Sequence, residues 1–322
     1  MNALPLGAAL KRGGLVTAAN WPVVLIDFVL ESFYKVAITV PILGGALMVG
    51  ALVGTNLEDV LGEGLRATAD LVFGSLATAP MALMAFLAAL GLVGLVGEAI
   101  MFVVKAGTLS VLVSSERNAG AIEGEPLRFE RVRQLTTYSL QTVYAGAERY
   151  GKRAFGLALW LGVTYALIGA VYLTLLGYGF SVAMRLTWLP AWPLLVLVAT
   201  TTGVVLVAII NLAYDLLRVI VVTDDCTLGA AARRLRLFVV EDSRQVIGIF
   251  SVIGGVLILT TAASIFAAAG IALVAWVPVV GLAVVPLQAA AWILRGLLLE
   301  YMALAALSAY QTQYRRFSAG RW

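Results

Sequence analysis

Six stretches of the chain stay apolar for close to twenty residues: 36–54, 81–104, 154–176, 192–213, 246–269 and 284–306. A helix of about 20 such residues covers the hydrocarbon core of a bilayer, roughly 30 Å thick. At that depth no water is present to bond the backbone, so segments of this length must satisfy themselves as helices. The remainder is too poor in charge to surround them in solution. Hydrophobic residues make up 61% of the chain and charged residues 12%, against about 45–50% and about 25% in a soluble domain. The sequence predicts an all-α integral membrane protein of six transmembrane helices in one membrane domain, 1–322. The first span is expected to continue a helix that begins near Trp21 and is kinked at Pro41. The stretch 271–285 is apolar but broken by Pro278 and Pro286. A re-entrant turn, an extended helix end and an interfacial segment are all open there.

Lysine and arginine placement orients the chain. With a cytoplasmic N-terminus, the outer loops hold only Arg66 and Arg185, and every other basic cluster falls inside. That asymmetry predicts cytoplasmic N- and C-termini in a bacterial inner membrane. Trp188 and Trp192 fit an outer aromatic belt, and Tyr314 and Trp322 an inner one. The net charge of +4 then reflects inner loops and anionic headgroups, not nucleic acid. Asp27, Glu31 and Lys35 interrupt the first long apolar stretch, so the N-terminal segment reads as part of the mature protein rather than a cleaved signal.

The inner segments carry helical periodicity. Phe129, Val132, Thr136, Leu140, Val143, Tyr144 and Ala147 fall on one stripe at 100° per residue, as do Leu228, Ala231, Ala232, Leu235, Phe238 and Val239. Both read as basic amphipathic helices lying in the membrane interface. Lys11, Arg12, Arg131, Arg149, Lys152, Arg153, Arg233, Arg234 and Arg236 are the candidate contacts to anionic lipid. Asp224-Asp225 and Glu241-Asp242 bracket the second helix, where capping would use them. Leu6-Gly7-Ala8-Ala9-Leu10-Lys11-Arg12 matches Leu228-Gly229-Ala230-Ala231-Ala232-Arg233-Arg234, and in the same register Asn20 falls on Asp242 and Val24 on Val246. A weaker third copy starts at Pro126-Leu127. The chain reads as three units, about 1–113, 114–223 and 224–322, each a basic helix followed by two spans.

The stretch from Asp224 through Phe238, running into Val246-Ile247-Gly248-Ile249-Phe250, resembles a recurrent pattern of poorly characterised bacterial six-span families. These include the membrane domain fused to some glycerophosphodiester phosphodiesterases. The resemblance implies a fold over the last third of the chain and no activity. No phosphodiesterase barrel accompanies it within these residues.

Chemistry has few candidates. The chain holds no histidine and one cysteine, Cys226. Histidine-based metal sites, proton relays and triads are excluded with them, as are disulfides and thiolate clusters. No catalytic, cofactor-binding or metal-ligating residues stand out, and no cofactor is expected. Charges within spans are costly and mark function by default. They are Asp27, Glu31, Lys35, Glu98, Lys105, Asp215, Arg218, Arg295 and Glu300. They form either a polar path or ion pairs near the cytoplasmic helix ends. Glu98 and Arg295, the deepest, are expected to pair. The leading expectation is a non-enzymatic protein that organises or assists a membrane complex, with a membrane-protein partner or a second copy. A transporter or channel for a lipid or small solute is the alternative. A membrane-embedded lipid enzyme comes third.

Overall fold

The apolar runs fold as long helices. A computed structural model describes residues 4–53, 80–120, 122, 124, 129–186, 191–275 and 278–319, and every regular element among them is helical. The helices are α1 (Leu6–Ala19), α2 (Trp21–Val53), α3 (Pro80–Asn118), α4 (Phe129–Arg133), α5 (Leu140–Leu186), α6 (Ala191–Asp224), α7 (Leu228–Glu241), α8 (Ser243–Ala275) and α9 (Pro278–Ala319). Five stretches are long and apolar enough to cross a membrane: Ala88–Asn118, Leu140–Val182, Trp192–Asp224, Ser243–Gly270 and Pro286–Ala319. The chain is a multi-pass helical membrane protein. These five contain most of the second to sixth expected spans. The first lies on α2, which continues through Pro41 to Val53; its side chains from 42 on and residue 54 lie outside the described residues, as do Arg66, Trp188 and Trp322.

Two compact units share these helices. One comprises 1–28 and 103–322, the other 29–102. In the second, Tyr34 lies against Gly97, where a Cβ would stand 2.5 Å from the Tyr34 ring, and Lys35 pairs with Glu31 one helical turn away at 2.8 Å.

In the first unit, the core lies at the end of the helices that carries most of the basic residues. Val16, Val23, Leu109, Leu112, Leu135, Val219, Val222, Leu304 and Leu307 are buried together there. Along the spans the helices face outward. Only 6% of the most apolar eighteen residues of α6 are buried, and 11% of those of α8. Helix α5, at 47 residues, is about 70 Å long at 1.5 Å per residue, so it extends well beyond the hydrocarbon core.

The expected interfacial role of the first basic helix is not what α1 does. It packs lengthwise on α9 and also touches α4 and α8. Ala9, Arg12, Gly13, Val16 and Thr17 are buried on it. Gly13 makes this possible: a Cβ there would stand 2.5 Å from the Ala305 carbonyl oxygen and 2.8 Å from the Ala309 nitrogen, both backbone. Helix α7 keeps more of the expected character, burying Ala231 and Phe238 while Arg233 and Arg236 face out.

The amphipathic helix expected over 129–147 is broken. Helix α4 ends at Arg133, and α5 starts only at Leu140. Between them Leu135 is buried at 2% exposure. Its carbonyl accepts bonds from Ser115 Oγ at 2.7 Å and Asn20 Nδ2 at 3.2 Å. Ser139 then starts α5 by accepting the Thr142 N–H on its Oγ at 3.0 Å. Of the expected apolar stripe, Leu140 and Tyr144 are more than 70% exposed. The stretch 271–285 divides between the end of α8 and the start of α9, which begins at Pro278 and runs on through Pro286. Proline suits a first helical turn, where its missing N–H breaks no bond.

Two helix pairs begin alike. Helix α1 has 14 residues, then Asn20 at φ −111° and ψ 39°, then the long helix α2. Helix α7 has 14, then Asp242 at φ −115° and ψ 26°, then the long helix α8. Arg12 and Arg234 occupy matching places, as do Ala9 and Ala231, both fully buried. The third expected copy does not share this layout, because α4 is five residues long.

The α1–α9 contact is testable. Gly13→Ala should destabilise the protein by about 1–3 kcal/mol, since the two nearest atoms are backbone and cannot give way cheaply. Gly7→Ala meets nothing within 4 Å and should be neutral or slightly stabilising through helix propensity. Thermal unfolding in detergent measures both, and equal effects would show that α1 does not pack this closely.

Candidate functional site

Four helices bring intramembrane charges together just outward of the core. Helix α2 supplies Asp27, 1% exposed, whose Oδ2 accepts a bond from Thr108 Oγ1 of α3 at 3.1 Å. One turn earlier on α3, Lys105 lies 3.7 Å from Glu300 of α9. On α6, Arg218 bonds Asp215 at 3.1 Å and lies over the Tyr214 ring, 5.3 Å from its centroid. The Arg218 guanidinium also feels Asp27 and Glu300, and Asp215 feels Lys105. Asp27, Asp215 and Glu300 therefore gather with Lys105 and Arg218 in one cluster of charges.

Of the nine intramembrane candidates, five meet here: Asp27, Lys105, Asp215, Arg218 and Glu300. Glu31 and Lys35 pair with each other in the other unit. Glu98 and Arg295, expected to pair, fall in different units. Glu98 accepts a bond from Tyr34 Oη at 3.1 Å, and Gly97 lets the Tyr34 ring approach α3 beside it. The buried Nε of Arg295 donates to no oxygen among the described residues.

A second set of ion pairs ties the basic end together. Arg12 is 6% exposed and donates to both carboxylate oxygens of Glu116, at 2.8 and 3.1 Å. It also donates to the carbonyls of Gly120 at 2.7 Å and Ala119 at 3.0 Å. A cation there completes the C-terminal end of α3, whose last carbonyls have no helical donor. Arg315 adds a bond to the Glu116 carbonyl at 2.7 Å, and Arg117 reaches the Thr223 carbonyl at 2.6 Å.

Asp224 and Asp225 do not cap α7 as expected. Thr227 holds the N-cap position with no side-chain bond. Asp224 instead accepts from Arg234 of α7 and from the Tyr314 hydroxyl of α9. Asp225 accepts from Arg149 and Arg153 of α5. Asp225 is in the left-handed region at φ 49°, a conformation that aspartate tolerates and that ends α6.

Of the expected lipid contacts, Arg12 is buried, while Arg149, Arg153 and Arg234 reach carboxylates from partly exposed positions. Lys11 is half-buried, while Arg131, Lys152, Arg233 and Arg236 remain exposed at this end. Tyr314 is not in an aromatic belt. It is 1% exposed and packs edge-on against Phe238, 5.4 Å between centroids.

Asn20 is the residue that sequence reasoning passed over. It is fully buried. Its Nδ2 donates to the Val16 carbonyl at 2.9 Å, Ser115 Oγ at 3.0 Å and the Leu135 carbonyl. Its Oδ1 accepts the backbone N–H groups of Thr137 and Tyr138, at 3.0 and 3.1 Å. An uncharged polar residue between an apolar helix and Trp21-Pro22 was the available signal. Among the described residues no group of three or more acidic or cysteine side chains could hold a metal.

The chain matches no protein-family model, and no curated protein or solved structure is similar to it. The likeness over 224–250 therefore rests on those residues alone.

Two outcomes follow from the basic end. Glu116→Leu strands the Arg12 charge in a buried place, at a cost of about 3–5 kcal/mol. Arg12→Met with Glu116→Leu should recover part of that loss, and a double-mutant cycle on thermal unfolding reads the coupling; simple addition would deny the pair. The second outcome concerns acid. Bonds from Arg149 and then Arg153 hold the Asp225 carboxyl below the ordinary value of 3.8. Its folded pKa is depressed, so its contribution is complete above that value and disappears as pH falls through the lower, folded one. Asp225→Asn should lower Tm at neutral pH and narrow the gap to wild type as the solution is acidified below 3.8. A gap independent of pH would overturn the assignment.

Proposed function

We propose that this chain is a non-enzymatic protein of a bacterial inner membrane that organises or assists a membrane complex, with both termini cytoplasmic. One observation carries the reading. The buried core and its ion pairs lie at the basic end, while the apolar lengths of α6 and α8 are almost wholly uncovered. Helices held together at one end present lateral faces along the rest of their length, and such faces suit partner helices or a second copy. Exposed Arg131, Lys152, Arg233 and Arg236 support anchoring to anionic headgroups at the same end. The matching layout of α1 and α7, each of 14 residues and joined through one residue to a long helix, supports an internal duplication.

A second reading, a transporter or channel for a lipid or small solute, is favoured by one observation. Asp27, Lys105, Asp215, Arg218 and Glu300 gather several ionisable groups among apolar helices, as a polar route would.

Gentle extraction of the tagged full chain separates the two. Under the first reading a second membrane protein, or a second copy, co-purifies in fixed stoichiometry, and the protein mass after subtraction of detergent exceeds 34.0 kDa. A monomer whose reconstituted vesicles show solute uptake abolished by Glu300→Gln would establish the second. Orientation is checked on a Cys226→Ala background. Cysteine placed at Lys152 or Arg236 should escape an impermeant thiol reagent on intact cells, and ready labelling would invert the topology.

A further inference from the structure

Helix α6 carries polar side chains at a depth where the bilayer offers them no partner. Trp192, at its outer end, packs on Phe180 of α5, 5.3 Å between ring centroids. Trp160 of α5 is 48% exposed and marks the opposite interface, as the tryptophans of an aromatic belt do. The stretch of α5 from Trp160 to Phe180 is about 30 Å long, the thickness of the hydrocarbon core. Two hydrogen bonds join α5 to α6 within that slab. The Tyr172 and Thr200 hydroxyls meet at 2.9 Å, close to its middle. About 10 Å nearer the basic end, the Tyr165 hydroxyl donates to Asn211 Oδ1. Thr200 and Asn211 are both exposed. Asn211 Nδ2 donates to nothing among the described residues, and an amide left so in hydrocarbon is costly.

These two residues belong to a seam. Leu197, Thr200, Val204, Val207 and Asn211 follow one another at alternating steps of three and four residues, the spacing that keeps one helix face against a partner helix over several turns. Leu197 and Val204 are each 64% exposed, so the seam is open along α6. In this register Leu197, Val204 and Asn211 take equivalent places, where a single asparagine fixes the alignment and number of paired helices. The amide also selects the occupant. It is donor and acceptor at once, and Oδ1 has room for a second bond beside that of Tyr165. Copies of one membrane protein insert with one orientation, so across a twofold axis along the membrane normal each residue meets its equivalent at equal depth. Two Asn211 side chains then satisfy each other, each Nδ2 donating to the other's Oδ1. An acyl chain offers no acceptor at this depth, and a foreign helix would need one of its own at the same level.

We propose that α6 pairs with α6 of a second copy along this seam, with Asn211 hydrogen-bonded to its equivalent. The pairing rests on the reading of a protein that assembles laterally, and it names the face and the partner. Full-length protein carrying Cys226→Ala is reconstituted in vesicles at low density and oxidised. Val204→Cys should give disulfide-linked dimers, and Ile209→Cys should not, although Ile209 is 57% exposed on the opposite side of α6. Dimer dissociation is followed by energy transfer between copies with fluorophores at the C-terminus. Asn211→Leu should weaken the dimer about three- to tenfold. Tyr165→Phe, which removes the bond within one copy and leaves the amide in place, should weaken it less. Cross-linking at Ile209 but not Val204 overturns the seam and leaves lateral assembly standing, as does dissociation unmoved by Asn211→Leu. Equal weakening by Tyr165→Phe would mean that Asn211 only packs α5 on α6, and refutes the pairing. Cross-linking in native membranes at Val204 to a protein of different mass refutes the second copy and keeps the assembly. A monomer free of any partner overturns both.

Discussion

A buried arginine on a short helix organises the basic end. Arg12 is almost wholly buried, so its donors must find fixed oxygens, and Glu116 and the carbonyls just beyond α3 supply them. That requirement packs the Arg12 face of α1 against the protein. Arg12 also satisfies the Ala119 and Gly120 carbonyls that follow α3, while Arg315 bonds the Glu116 carbonyl in its last turn. Gly13 completes the arrangement by letting the α1 backbone lie directly on α9. Asn20 then fixes the turn into α2 and the irregular segment before α5 with one side chain. The core residues of α3, α6 and α9 pack around this assembly, and the spans extend from it.

The ion network just beyond the core follows the same physics. Charges on α2, α3, α6 and α9 are too costly to leave alone at that depth, and their mutual placement holds the four helices in register. Such networks specify an arrangement more than they stabilise it, because desolvation offsets much of the attraction. Their location near one end, with the apolar lengths beyond left uncovered, suits a protein that meets other components laterally.

Several features were legible in the sequence for definite reasons. Helices of membrane length follow from uninterrupted apolar runs. The grouping of Asp27, Lys105, Asp215, Arg218 and Glu300 was foreshadowed because charges in spans seek one another. The α7 stripe of Ala231 and Phe238 was readable because one face is buried and the opposite one wet. Helix α1 has nearly the same sequence pattern and a different fate, since periodicity reports that one face is apolar without saying how much of the helix is covered. The break after Arg133 was invisible for a related reason. Its cause is Asn20, more than a hundred residues away, competing for the backbone N–H groups of Thr137 and Tyr138.

What the sequence determined by itself is the solvent and the element type: runs of some twenty apolar residues admit only helices in a bilayer, and basic residues gather at one end of them. Which basic residues are buried, which acid each one meets and where the core sits were decided by tertiary structure. Arg12 and Arg233 look alike along the chain. One is enclosed because Glu116 and the end of α3 stand beside it, and the other is exposed because α7 turns that face outward. Pairing of charges distant in sequence depends on which helices touch, and local composition carries no record of that.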